Sequence, residues 1–317
     1  MSTDGLSAGA RRLLGRLWRF RRPPHAFVLT EERLVHVALS REGGAPSVRA
    51  CALPPGAFRP APSGVPVAGD SLSQAVGSLL PVKGRIAAAS LAVPDGFVKA
   101  APVDVEPGVE KSPKELAEVL RWKVGRLYGE PVPALRIGWC AAGEAPGGGP
   151  RFLVLASPEE TLASLEAAFS AHGIRIGALE PATLALSAFA APALGGSGLV
   201  VYSDGRDVST LVLEKGAVRF LRTRTSAAEP EEALQEVRLA ASFAAGSPVE
   251  GPGPEVVSEA VVVPEGSPLA GLLRDLRLEN GGRELVSLEP LLRSRGIAAR
   301  AGDTAPIVGL GLLEGAE

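Results

Sequence analysis

The chain writes one strand grammar twice. The stretch from Ala26 to Gly56, "AFVLTEERLVHVALSREGGAPSVRACALPPG", and the stretch from Leu199 to Thr223, "LVVYSDGRDVSTLVLEKGAVRFLRT", each read as three apolar strands. In both, a polar turn joins the first two strands, and a turn of charged residues and glycine ("REGG", "EKG") joins the second and third. Helical patterns follow each meander. Two halves that open alike and continue with helices imply an α/β fold with duplicated lobes, and ligands of such folds sit in the cleft between the lobes.

The totals fit that size and exclude several alternatives. A chain of 317 residues can bury two cores, and 46% hydrophobic with 21% charged residues is the balance of an ordinary globular protein. A net charge of −2 gives no overall attraction to nucleic acid or to membrane. The two cysteines, Cys51 and Cys140, lie in apolar runs, so they read as reduced, buried thiols of a cytoplasmic protein without a disulfide framework. His25, His36 and His172 have no metal-ligand spacing; His36 lies in a strand and His172 beside a helix-ending glycine, so no metal site is expected. No apolar run is long enough to span a bilayer.

Charge is uneven only at the N-terminus. "RRLLGRLWRFRR" carries Arg11, Arg12, Arg16, Arg19, Arg21 and Arg22 and no acid, with Leu13, Leu14, Leu17 and Trp18 sharing one helical face. It lacks the apolar core and cleavage site of a secretory signal. Two readings stand: a surface anchor on anionic lipid, at about 1 kcal/mol per basic residue, or a solvated leader.

Between the meanders, two segments carry the same helix-start device. "SPKELAEVLRWKVGRLYG" offers Ser112 as N-cap, Pro113 at the first helical position and Glu115 to close a capping box, with an apolar stripe of Leu116, Val119, Leu120, Val124 and Leu127 and Gly129 as the stop. "SPEETLASLEAAFSAHG" repeats it with Ser157, Pro158 and Glu160, and Gly173 as the stop. The strands "RIAAASLAVP" and "GFVKAAPVDV" read as a pair ahead of the first helix, and "LRIGWCAAG" and "RFLVLAS" flank a glycine-rich loop. The expected division is a basic leader (1–24), a first lobe (25–84 and 178–197, with a C-terminal helix over 303–316 packing back on it), an inserted α+β subdomain (85–177) and a second lobe (198–302). The apolar run around Val261 predicts a strand buried on both faces.

This ordered series resembles the PilM proteins of type IV pilus assembly, which belong to the actin-like ATPase superfamily and are related to FtsA. The likeness is carried by "ALPPGAF" after the first meander, by "SLAVPDGFVKAAPVDV", by "KELAEVLRWKVGRLYGEPV" with its Arg121-Trp122 pair, and by "LVLASPEETLASLEAAFSAHGIRIGALEPATLALSAFA". It implies an actin-like (ribonuclease H-like) two-lobed fold. It also implies a protein at the cytoplasmic face of the inner membrane that binds the N-terminal peptide of the membrane protein PilN and links the pilus machinery to its motor ATPases. The PilN groove of that family lies where the inserted subdomain meets the first lobe. Carried over here, it would draw on Leu91, Val93, Leu116, Val119, Leu120, Trp122 and Lys123, with Trp122 either a partner anchor or a core residue.

Actin-like ATPases hold phosphates with two glycine-containing hairpins, and an Asp in each serves Mg²⁺ or its waters. Here Val28 stands at the first Asp position and Thr30 at the Gly position, followed by Glu31, Glu32 and Arg33. In the second hairpin Tyr202 takes the Asp position and Asp204 the Gly position. A two-residue shift would instead offer Asp204 and Gly205, with Ser209 and Thr210 as hydroxyl donors, although an Asp-Gly hairpin turn explains the same letters. Where the family has a glycine triplet for the adenosine, this chain has Pro264, Glu265 and Gly266. The expectation is therefore a pseudo-ATPase scaffold without ATP or Mg²⁺ as working cofactors. The alternatives are an active ATPase using Asp204, Gly205, Ser209, Thr210 and Gly266, or the cytoplasmic component of a type II secretion system. No Walker-type lysine loop, GxSxG or HExxH occurs. Asp104, Glu106 and Glu110 read as a solvated acidic rim.

Overall fold

In a computed structural model of the chain, the residues described are 23–39, 44–55, 69–81, 85–128, 134–145, 147–204, 207–224, 230–245, 259–262, 269, 285–286, 296–297 and 303–314. The basic leader with Arg11, Arg12, Arg16, Trp18, Arg19, Arg21 and Arg22 lies outside them, as do Gly129, Gly205, Pro264, Glu265 and Gly266.

Two five-stranded sheets repeat one topology. The first has the order β3-β2-β1-β4-β8, formed by His25–Leu29 (β1), Arg33–Ala38 (β2), Ser47–Ala52 (β3), Ala88–Val93 (β4) and Arg175–Pro181 (β8). The second has the order β11-β10-β9-β12-β13, formed by Gly198–Ser203 (β9), Val208–Glu214 (β10), Ala217–Arg224 (β11), Glu259–Val262 (β12) and Leu285–Val286 (β13). In each, the meander is antiparallel and the two further strands run parallel. The letters behave as expected for this placement: the apolar runs of β1 and β9 are buried almost throughout. The "EKG" turn closes β10 on β11 with Lys215 at φ 52° and Gly216 at φ 77°, the two positive φ values that a two-residue hairpin of matching twist requires.

Six helices are described. Gly69–Leu79 (α1) and Glu159–Ser170 (α3) cover the outer face of the first sheet, where Phe27, Leu34, Leu72, Leu91, Leu165 and Phe169 form one core. Pro230–Ala245 (α5) covers the outer face of the second sheet, against Leu199, Val201 and Val212. Ala182–Ala193 (α4) and Ala305–Glu314 (α6) share a second core with the inner faces of both sheets, including Val28, Val37, Leu186, Val200, Leu211, Val308 and Leu312. Helix α6 packs on α4 and on β1, β2 and β4, whereas α4 packs on β4 and β8 and also reaches β9 and β10.

Between β4 and α3 stands a small sheet of order β5-β7-β6, made of Lys99–Asp104 (β5), Leu135–Glu144 (β6) and Pro150–Pro158 (β7). The helix Pro113–Gly125 (α2) covers one face through Leu116, Leu120 and Val124. Ser112 caps α2 as its sequence predicts, accepting from the Glu115 backbone N–H at 3.4 Å. The similar Ser157 does not cap α3: it remains in β7, and its buried hydroxyl has no hydrogen-bond partner.

Two sequence expectations need correction. β4 and β5 are not a pair, because β4 pairs in parallel with β1 and β8 while β5 pairs with β7. Strand β4 and helix α3 therefore belong to the core of the first lobe, and the small sheet occupies less of the chain than 85–177. The run "AASLAV" is apolar at nearly every position, which suits a central parallel strand buried on both faces better than a half-exposed hairpin.

The two central helices meet through missing side chains. A Cβ placed on Gly311 would stand 2.1 Å from the Ala185 carbonyl oxygen of α4, and one on Gly309 would stand 2.5 Å from the Val37 side chain of β2. The first neighbour is backbone and cannot swing aside. Gly311→Ala should lower stability by about 1–3 kcal/mol through overpacking, although alanine favours the helix by about 1 kcal/mol. Urea denaturation checks this, and an unchanged or raised midpoint would contradict it.

Candidate functional site

The loops that in a two-lobed fold of this kind face the cleft are held by bonds within the protein. In the first hairpin the Thr30 N–H and hydroxyl both donate to the Arg33 carbonyl, at 2.9 and 3.1 Å, and the Arg33 N–H donates to the Thr30 hydroxyl at 3.2 Å. The Arg33 guanidinium then donates to both carboxylate oxygens of Asp303, at 2.6 and 3.1 Å. Asp303 also accepts from the Ala305 N–H at 3.2 Å and so caps α6. One bidentate pair ties the turn of the first lobe to the start of the C-terminal helix, and charge-assisted geometry of this kind is among the stronger polar contacts.

Opposite this turn lies a buried polar group that sequence reasoning missed. Asp95 follows β4 in the short turn Asp95–Phe97 and is almost wholly buried. Its carboxylate accepts from the Thr183 N–H at 3.0 Å and from the Thr183 hydroxyl, which places it at the N-terminus of α4, where the helix dipole favours an anion. The Ser209 hydroxyl of β10, on the other lobe, stands near enough to pull the Asp95 carboxyl down. Ser209 in turn lies 2.8 Å from the Thr223 hydroxyl of β11. Burial pushes the Asp95 carboxyl up to about 6, against the pull of these hydrogen bonds, and the nearby Asp204 charge adds to the rise. Beside it, Tyr202 is pushed well above its ordinary value, first by burial and then by the Asp204, Asp95 and Asp207 charges, while a bond to Thr304 opposes this.

Of the candidate nucleotide residues, Asp204, Ser209 and Thr210 are described, whereas Gly205 and Gly266 lie outside the described residues. Asp204 accepts from the Asp207 N–H at 3.1 Å, which closes its own turn. Ser209 and Thr210 are buried, and the Ser209 hydroxyl lies within hydrogen-bond distance of the Thr223 hydroxyl. Asp95, Asp204 and Asp207 all stand near enough to Tyr202 for their charges to act on it. Among the described residues, no group of three or more His, Cys, Asp or Glu side chains is placed to hold a metal ion. Asp95 could not be found from its own neighbourhood, because a lone Asp after a Pro reads as a turn; only the distant Thr183 and Ser209 make it a cleft residue.

The partner-groove residues divide. Leu91 and Val93 are core residues of the first lobe, and Leu116 and Leu120 of the small subdomain, so none of the four is open to a partner. The apolar stripe of α2 is spent on its own sheet. Val119 packs partly against that core, and Lys123 donates to the Asp104 carbonyl at 2.5 Å. Trp122 is 61% exposed and carries the Arg126 guanidinium 4.6 Å from its ring centre, so it is not a core residue. Asp104 itself pairs with Arg151 at 2.6 Å, which holds its carboxyl below the usual range.

Where the subdomain joins the first lobe, other residues are accessible. Leu127 is 47% exposed, and its carbonyl accepts from Lys99 at 2.7 Å. At the same end of the sheet, Arg136 of β6 donates to Glu159 and Glu166 of α3, linking subdomain to lobe. The cysteines also depart from expectation: Cys51 is half-buried and Cys140 is exposed.

Comparison with solved structures places this architecture. A PilM-PilN type IV pilus biogenesis complex matches with TM-score 0.70 and 19% identity, over 94% of this chain and 99% of that one. The cytoplasmic domain of EpsL, an inner membrane component of the type II secretion system of Vibrio cholerae, matches with TM-score 0.51 and 12% identity, over 87% and 95%. A Bacteroides thetaiotaomicron protein with an actin-like ATPase fold and unknown function matches with TM-score 0.50 and 8% identity, over 93% and 100%. This is the actin-like ATPase fold. No protein-family profile matches the sequence, and no curated protein does. Among the described residues, no helix is long and apolar enough to cross a membrane.

Asp95 gives a pH test. A carboxyl raised to about 6 from 3.8 binds more protons in the folded than in the unfolded chain between these values, so it opposes folding most above about pH 6. His36 acts in the opposite direction: burial, with the His25 and Arg49 charges, lowers it to about 4, so stability falls as pH drops through this window. The comparison must therefore be with a variant. Asp95→Asn keeps the accepting oxygen, and it should exceed the wild type in stability by up to about 3 kcal/mol near pH 8, with the difference vanishing near pH 4. Urea titrations across this range check it; a difference independent of pH would refute the assignment.

Proposed function

We propose that this protein is a non-hydrolysing, PilM-like platform that binds the cytoplasmic N-terminal peptide of a PilN-like inner-membrane protein. The likeness to the PilM-PilN complex over nearly the whole of both chains supports the partner class. The observation that carries the scaffold reading is the first turn: Arg33 is committed to both carboxylate oxygens of Asp303, and the Ser209 hydroxyl of the second hairpin is paired with that of Thr223. On this reading the protein works at the cytoplasmic face of the inner membrane beside the pilus motor ATPases, with its basic leader against anionic lipid.

A second reading, the cytoplasmic component of a type II secretion system, draws support from the EpsL likeness, which is weaker than the first. Both readings describe a cytoplasmic body that docks a membrane protein.

The peptide site follows from what is accessible at the junction of the subdomain and the first lobe. Leu127 offers an exposed apolar contact there. Isothermal titration of the full chain with the N-terminal peptide of a PilN-like protein encoded beside it should give a one-to-one complex. Leu127→Asp should weaken it at least about tenfold, which is the size of a typical anchor loss. A substitution at the distant Leu239, which is also exposed, should leave it unchanged. Absence of heat with the wild type, or equal affinity in the Leu127→Asp variant, would overturn this placement.

A further inference from the structure

The parallel strands of the first sheet carry opposite charges at their two ends. Strands β1, β4 and β8 run in one direction and start level with each other. Toward their finishing end stand Glu31 after β1, Asp95 after β4 and Glu180 near the end of β8. At the starting end, Arg85 precedes β4 and Arg175 opens β8. Both arginines are exposed, and among the described residues neither pairs with a carboxylate. The other described segments that reach this end are Leu39 after β2, Ser47 and Val48 opening β3, the last turn of α1, and residues 170–174 after α3. None of them carries Asp or Glu. Arg49 is also near, but its guanidinium is spent on the Ser78, Leu79 and Leu80 carbonyls that end α1.

The base of the first lobe is thus basic, and it is partly apolar: Leu39 is 41% exposed and Val48 38%. The leader joins the body here. Pro23 stands against Gly177 of β8, where a Cβ would lie 3.5 Å from the proline ring, and Gly177 shares a strand face with Arg175. The sequence that leads into Pro23 has six arginines and no acid from Arg11 to Arg22, together with Leu13, Leu14, Leu17 and Trp18. Arginines beside an apolar face suit an anionic bilayer, which offers both headgroup charge and an apolar phase; nucleic acid offers the charge alone. Each basic residue near such a surface is worth about fivefold in partitioning, and the attraction dies away within a Debye length. The acidic finishing end is repelled by the same field, so the charge separation also sets direction.

We propose that the base of the first lobe, through Arg85, Arg175, Leu39 and Val48, lies on the anionic membrane surface and points the finishing ends of β1, β4 and β8 away from the lipid. This rests on the reading that the leader meets anionic lipid, and it adds the folded face and the orientation.

The test is sedimentation of the full chain with vesicles of phosphatidylglycerol and phosphatidylcholine in equal parts, against vesicles of phosphatidylcholine alone. The wild type should bind only the anionic vesicles, and should release them in ~0.5 M NaCl. Arg85→Glu with Arg175→Glu should weaken binding at least about tenfold at an unchanged thermal midpoint. Arg121→Glu with Arg126→Glu makes the same change in net charge on α2 of the small subdomain and should leave binding unaltered. Independently of charge, a nitrobenzoxadiazole label on Leu39→Cys, in a Cys51→Ser and Cys140→Ser background, should brighten and shift to the blue with anionic vesicles, whereas a label on Leu239→Cys should not. If Arg19→Gln, Arg21→Gln and Arg22→Gln together abolish binding while the Arg85 and Arg175 variant binds normally and the Leu39 label stays dark, the leader reading stands and the proposal falls. No preference for anionic vesicles overturns both. Equal losses in the two double variants, or a duplex DNA that binds through Arg85 and Arg175 where vesicles do not, would also overturn the proposal.

Discussion

The structure depends on the close approach of two helices between two sheets. Gly311 of α6 lies against the Ala185 carbonyl of α4, and Gly309 against Val37 of β2, at distances that leave no room for a Cβ. Because of this, the inner faces of both lobes and both helices form one apolar core. The lobes are therefore joined by packing, with their cleft-facing loops held in fixed relation. The cost is a helix weakened by two glycines, which tertiary burial must offset.

That fixed relation gives the cleft its character. Asp95 follows the end of a central strand, and its carboxylate holds the start of α4 through Thr183. Arg33 reaches from the first hairpin to Asp303 at the start of α6. An actin-like cleft binds phosphates when its turns present unpaired N–H groups and cations. Here the first turn closes on itself through Thr30, and its cation is paired. On the proposed reading, the two-lobed body has kept its shape as a carrier for the small subdomain, whose junction residues provide the contacts.

Much of the fold was legible in the sequence, for physical reasons that can be named. The repeated meander appears as two matching sheet topologies because apolar runs separated by Gly-containing turns leave few other pairings. The Ser112 cap was legible because capping is local. What failed was non-local. The partners of β4 are β1 and β8, which nothing in "SLAVPDG" encodes beyond its burial. Leu116 and Leu120 pass for groove residues because an apolar helix stripe looks the same whether it meets a partner or its own sheet, and Leu91 and Val93 do so because nothing local marks their strand as central. Asp95 was overlooked for the same reason: its meaning comes from Thr183, 88 residues away.

On the proposed reading the cleft takes no nucleotide, and equilibrium dialysis of the full chain against labelled ATP with magnesium puts this to the test. The account predicts no saturable binding up to about 1 mM, where any site tighter than about 10 µM would be filled at a hundredfold excess and would add about 2.7 kcal/mol of stability. One equivalent of ATP bound with micromolar affinity would contradict it.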